Sequence, residues 1–275
     1  MPSFAPAVDA FKGCLRDWRL WLIQFLGNAL LFALFIGWLF IPVATGWHLI
    51  LNVLVALVLL AGLLVLHGGT LNYFYSQDSQ ENESLRDVFR RGVWNLLAVA
   101  LCAAVLYLLW LLAGQFGSYE QSLPPYLRSM SPAFLRRSVG LPVFHGIISM
   151  LFFTVRWILV PGLVLPLLAS AAYFGFRGFG RQGLQIWKRT VWSVSYWAIV
   201  IVAVLLGVSA TEKIMGWTPD FRTSTLSQET TSLVIRGLVS YFLALFAWLL
   251  ACSAIGRQRQ MITDTADDPS GQTVA

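Results

Sequence analysis

Charge is what this sequence has least of. Only 12% of its 275 residues are Asp, Glu, Lys or Arg, about half the share usual in a soluble domain. The scarcity is also uneven. No charged residue occurs from Leu20 through Gln77, Gly92 through Tyr119, Trp157 through Phe176, Thr190 through Thr211, or Gly237 through Gly256. Each stretch reaches the roughly 20 residues a helix needs to cross about 30 Å of hydrocarbon, and the first is long enough for two crossings. A shorter uncharged run, Ser138 to Val155, leads into a further span around Arg156. Soluble core helices would carry charged outer faces, and these have none.

Other absences narrow the chemistry. The three cysteines, Cys14, Cys102 and Cys252, are too scattered for a disulfide framework or a metal knuckle. His48 and His67 lie 19 residues apart on one expected helix, about 28 Å by helical rise, so they cannot share a metal or a haem. His48 with His145 would offer two ligands and no neighbouring thiolate or carboxylate. No Walker loop, HExxH helix, GxSxG elbow or CxxC pair is present. None of the expected spans contains Asp or Glu, which argues against proton- or ion-coupled transport, where ionisable groups sit at membrane depth. The expectation is therefore a chain without catalytic site, cofactor or metal. Its net charge of +6 points to anionic lipid headgroups rather than to nucleic acid.

Hydrophobic residues make up 57% of the chain. The predicted fold is all-α: a polytopic transmembrane helix bundle of about six spans, with short interfacial amphipathic helices before the odd-numbered ones. The spans are read as Leu20–Val43, Trp47–Leu71, Val93–Gly114, Phe144–Ala171, Val191–Val208 and Leu233–Ile255. Pro42 and Gly46 punctuate the first break. One transmembrane domain is expected over residues 1–260, followed by a disordered polar tail at 261–275. The apolar stretch after Arg19 is too long for a cleavable signal peptide. Twelve basic residues fall on one side of these spans (Lys12, Arg16, Arg19, Arg86, Arg90, Arg91, Arg177, Arg181, Lys188, Arg189, Arg257, Arg259) and five on the other (Arg128, Arg136, Arg137, Lys213, Arg222). The excess of Lys and Arg on cytoplasmic loops then predicts a multi-pass protein of a bacterial inner membrane with both termini in the cytoplasm.

A repeated device precedes the odd spans. Val88-Phe89-Arg90-Arg91-Gly92-Val93-Trp94-Asn95 matches Ile186-Trp187-Lys188-Arg189-Thr190-Val191-Trp192-Ser193 in character, position by position. Ser84 with Asp87 reads as a capping box opening the first of these helices. Before span 1, Phe4, Val8, Phe11, Leu15 and Trp18 fall on one helical stripe, with Lys12, Arg16 and Arg19 off it. Short basic amphipathic helices of this kind lie in the headgroup plane, which makes Arg90, Arg91, Lys188 and Arg189 candidate lipid-binding residues. Plain positive-inside flanks are the alternative.

The run Arg156-Trp157-Ile158-Leu159-Val160-Pro161, together with Gly183-Leu184-Gln185-Ile186-Trp187-Lys188-Arg189-Thr190-Val191-Trp192, resembles a bacterial group. That group is the six-helix membrane domain attached to some glycerophosphodiester phosphodiesterases, with its stand-alone relatives. The resemblance covers about a third of the chain and implies the six-span architecture. The group's usual acidic residue is missing from Leu167–Phe176, Thr190 replaces its usual serine, and the phosphodiesterase domain is absent, so no activity is implied.

Arg156 is the candidate of most interest. Within a span beginning at Phe144 it would lie about 18 Å along the helix, where a charge needs a partner or an exit. Two readings stand open. In one it snorkels to outer-leaflet phosphates. In the other it faces the bundle interior, held by Asn or Gln side chains and by the Trp157 carbonyl that Pro161 leaves without its donor, and binds an anionic ligand or headgroup. Two functions stay open as well. One is a non-enzymatic membrane component organising lipid or a membrane-protein partner, with a closed bundle packed on Gly and Ala. The other is a transport component, with a hydrated cavity lined by Asn28, Asn52 and Asn95. The acidic loop Asp78, Glu81, Glu83, Asp87 reads as a solvated connector, and the loop Gln115–Pro142 as a membrane-hugging or partner-binding segment.

Overall fold

The computed structural model describes residues 12, 15–76, 84–217 and 226–267, and side chains throughout these except at 135, 182 and from 256 on. Among the described residues there is no strand. The chain is all-α, and six helical runs among the described residues are long and apolar enough to cross a membrane: Trp18–Leu39, Gly46–Ser76, Leu96–Tyr119, Leu141–Phe179, Val194–Gly216 and Leu226–Ile255. In hydrocarbon every backbone N–H and C=O must be satisfied within the segment, which leaves helices as the solution for such stretches. This is an integral membrane protein.

We number the helices α1 (Trp18–Leu39), α2 (Gly46–Ser76), α3 (Leu85–Trp94), α4 (Leu96–Phe116), α5 (Leu123–Met130), α6 (Ala133–Ser138), α7 (Leu141–Phe153), α8 (Val160–Phe174), α9 (Arg181–Val191), α10 (Val194–Val204), α11 (Thr211–Gly216) and α12 (Leu226–Asp267). The α1–α2 break falls at Pro42 and Gly46, as predicted. Ser84 caps α3: its hydroxyl accepts from the Asp87 N–H at 3.3 Å and donates to the Asp87 carboxylate at 2.6 Å. α12 continues as helix to Asp267, because lengthening an existing helix needs no new nucleus. Residues 268–275, most of the stripe before Leu15, and the loop acids Asp78, Glu81 and Glu83 lie outside the described residues.

The chain divides into two compact units, residues 1–100 with 166–275, and residues 101–165. In the first unit the core gathers where α2, α3, α8, α10 and α12 are closest packed, around Tyr75, Tyr196, Leu71 and Leu249, all under 2% exposed. The Phe89 ring lies on Gly69, and the Asn72 amide donates to the Val88 carbonyl at 2.8 Å, seating α3 on α2. Small residues line the interior: Ala169, Ala171 and Ala172 are completely buried. The turn after α8 is built on glycine. Gly175 adopts φ +62°, and a Cβ there would stand 2.6 Å from the Asn95 side-chain oxygen. That side chain donates to the Ala172 and Tyr173 carbonyls at 2.9 and 3.2 Å, tying the start of span 3 to the end of α8.

The sequence repeat is matched in part by burial. Gly92 of α3 and its counterpart Thr190 of α9 are buried and Arg90 and Lys188 are exposed, while Val88 is buried where Ile186 is half-buried and Arg91 is half-buried where Arg189 is exposed. Trp94 and Trp192, each one residue short of its capping Asn95 or Ser193, are 78% and 80% exposed. In the second unit, α5 packs along α7, with Pro124 and Pro125 in its first turn, where their missing N–H groups would have had no partner anyway.

Candidate anion site around Arg156

Arg156 sits in a π-helical turn, Thr154–Leu159, between α7 and α8. Pro161 accounts for its place: the ring supplies no N–H to the Trp157 carbonyl and crowds it, and the wider turn gives that carbonyl room. The guanidinium lies over the Trp110 ring, 3.9 Å from its centroid, with the Trp157 ring at 5.8 Å. The two indoles meet edge to face at 5.7 Å. Gly114, one turn beyond Trp110, makes room for the charge: a Cβ there would come within 3.4 Å of Arg156 Nη2. Electron-rich ring faces attract a cation most where water is excluded.

These contacts occupy the face of the guanidinium and leave its N–H edge unused. Among the described residues Arg156 makes no hydrogen bond and no ion pair, and its Nε is buried without a partner. A buried unsatisfied donor costs about 1–3 kcal/mol, so the group is primed for an acceptor. The hydrogen bonds to Asn or Gln side chains and to the Trp157 carbonyl expected for an interior Arg156 are not formed among the described residues. Its level follows from Trp110, six residues before the end of α4, about 9 Å by helical rise. The charge thus lies level with the last third of α4, toward the α4–α5 turn. Span 4 begins at Leu141, earlier than predicted.

Arg236, in span 6, differs. Its guanidinium donates to the Ser232 carbonyl at 3.3 Å, to Met215 at 3.2 Å and to Trp217, closing the end of α11. Arg91 stacks on the Tyr173 ring at 4.9 Å, so it supports the fold of the first unit. Arg90, Lys188 and Arg189 are exposed. Of the predicted site residues, Arg156 belongs to the second unit and the other four to two short helices of the first. Trp110 and Gly114 were missed by sequence reasoning, since nothing local marks an indole that meets an arginine 46 positions away.

The three asparagines proposed to line a hydrated cavity are each hydrogen-bonded elsewhere. Asn52 donates to the His48 carbonyl at 2.9 Å, Asn28 to the Gln24 carbonyl and side-chain oxygen at 2.8 and 3.0 Å, and Asn95 as described. Gln24, fully buried, in turn bonds Thr70 and the Leu66 carbonyl, joining α1 to α2. Asn28 does border a cavity of about 910 Å³ between α1, α2 and α12, but its other walls are almost wholly apolar, with Phe25, Phe32, Leu63 and Tyr241 among them.

No family model, curated protein or solved structure matches this chain.

Proposed function

We propose that this protein is a non-enzymatic membrane component that organises phospholipid by holding headgroup phosphates at two levels. Arg156 carries the reading: a guanidinium in an apolar span, backed by an indole, with no hydrogen-bond acceptor among the described residues and its Nε buried. Its planar fork suits a phosphate better than a point charge would. The loop charges orient it. With both termini in the cytoplasm of a bacterial inner membrane, the α3 and α9 cations Arg90, Lys188 and Arg189 meet anionic headgroups of the cytoplasmic leaflet. Arg156 then reaches the outer leaflet by snorkelling along span 4. Trp94 and Trp192 suit the headgroup level as interfacial anchors. The six-span resemblance described above fits the same layout.

Transport is less well supported. Its three asparagines are engaged in helix-to-helix or local hydrogen bonds, and the apolar cavity beside Asn28 suits acyl chains better than water. The test is purification of the full chain in mild detergent, with mass-spectrometric counting of retained phospholipid. Arg156→Gln should lower retention, and Arg156→Lys should lower it too, because one ammonium cannot replace the fork. Retention no greater than that of an unrelated six-span protein handled identically would overturn the proposal.

A further inference from the structure

Seven residues before Arg156 in span 4, on α7, Ser149 donates a hydrogen bond to the carboxylate of Glu120, the residue that ends the short turn after α4. Glu120 has no cation beside it among the described residues. Within the second unit, then, a carboxylate in the turn after α4 and the guanidinium of Arg156 in span 4 form no ion pair with each other among the described residues. Seven residues separate Ser149 from Arg156, about 10 Å of helix, and the arginine side chain leans back toward the start of its own helix, narrowing the gap. The arrangement is ordered: guanidinium deeper, carboxylate closer to the headgroups.

We infer that this pair recognises a zwitterionic aminophospholipid headgroup, its phosphate on Arg156 and its ammonium on Glu120. The inference rests on the lipid-organising reading and narrows it to one headgroup class. Two charge-assisted hydrogen bonds of roughly 2.7–2.9 Å each leave the few ångströms taken by the two-carbon linker between phosphate and ammonium. A headgroup with only negative charge would satisfy Arg156 but set its remaining oxygens against the Glu120 carboxylate. Lipid chosen at this site thus differs from the anionic lipid drawn to α3 and α9. The indoles Trp110 and Trp157 wall the deeper end and keep water from competing for the phosphate.

The test is native mass spectrometry of the full chain in detergent micelles carrying equal amounts of phosphatidylethanolamine and phosphatidylglycerol. The wild type should retain the ethanolamine lipid about fivefold over the glycerol lipid, the scale of one partly exposed ion pair. Glu120→Gln, which can still accept from Ser149, should bring that ratio close to one, while Arg156→Gln should lower retention of the ethanolamine lipid. Soluble phosphoethanolamine at millimolar concentration should leave the bound lipid in place; its displacement would show that the free headgroup, not the lipid, is the ligand, and would overturn the assignment. Equal retention of both lipids by the wild type, or a preference that survives Glu120→Gln, would overturn this inference while leaving lipid organisation intact. Failure to retain either lipid would remove both.

Discussion

Replacing Trp110 with Leu, alone and together with Arg156→Met, isolates the contact that anchors the in-span charge. At 3.9 Å from the ring centroid the guanidinium is well inside the range for cation–π attraction, worth about 0.5–1 kcal/mol when exposed and about 2 kcal/mol when desolvated. Arg156 is half-buried and its Nε fully so, which places the pair toward the upper part of that range. We expect a coupling energy of about 1–2 kcal/mol, as large as the strongest hydrogen bonds measured between membrane helices. The Trp110–Trp157 contact is present in both arms of the double-mutant cycle that carry Trp110, so it cancels. The assay is reversible unfolding of the full chain in mixed detergent micelles for the wild type, both single variants and the double variant. Trp110→Phe should keep part of the coupling, since a smaller ring has a weaker face. A coupling within about 0.3 kcal/mol of zero would refute the view that the indole holds the arginine.

Three further outcomes are expected. Gln24→Leu removes the hydrogen bonds that join α1 to α2 through Thr70 and Leu66, and should destabilise the chain by about 1–2 kcal/mol in the same unfolding assay; an unchanged midpoint would count against that link. Gly183→Ala would drive a Cβ into the Gly178 carbonyl oxygen, backbone that cannot swing aside, so thermal stability in detergent should fall by more than about 2 kcal/mol, and a wild-type melting curve would contradict the packing of α9 on the turn before it. Reporter fusions after Arg181 and at the C-terminus should signal cytoplasm and a fusion near Ser129 the opposite side; swapped signals at two of these sites would overturn the orientation.

The spans were legible without a structure because membrane thickness and backbone hydrogen bonding impose length and apolarity on any crossing segment. The α1–α2 break at Pro42 and Gly46, the Ser84 cap and the paired devices at Arg90 and Lys188 were legible for a similar reason: each is set by residues within a turn or two. Arg156 stood out as a lone charge in an apolar run. Its surroundings did not, since Trp110 and Gly114 approach it from another helix, and its partners proved to be ring faces rather than amides or a carbonyl.

Hydropathy also could not say which faces are buried. The 18-residue apolar stretches of spans 1 and 6 have nearly the same mean hydropathy, 2.0 and 2.2, yet 11% of the first and 50% of the last lie buried within the protein. Lipid tails are as apolar as Leu, so a side chain facing lipid and one facing the core obey the same compositional rule. What separates them is small residues and shape: Ala169, Ala171 and Ala172 allow close packing around Tyr75 and Tyr196, Gly175 takes a left-handed turn against Asn95, and an indole from span 3 rather than a carboxylate meets Arg156. Composition alone determined that this chain lives in a membrane and how often it crosses. Contacts between residues tens of positions apart decided where its core lies and which charge was left with unused donors.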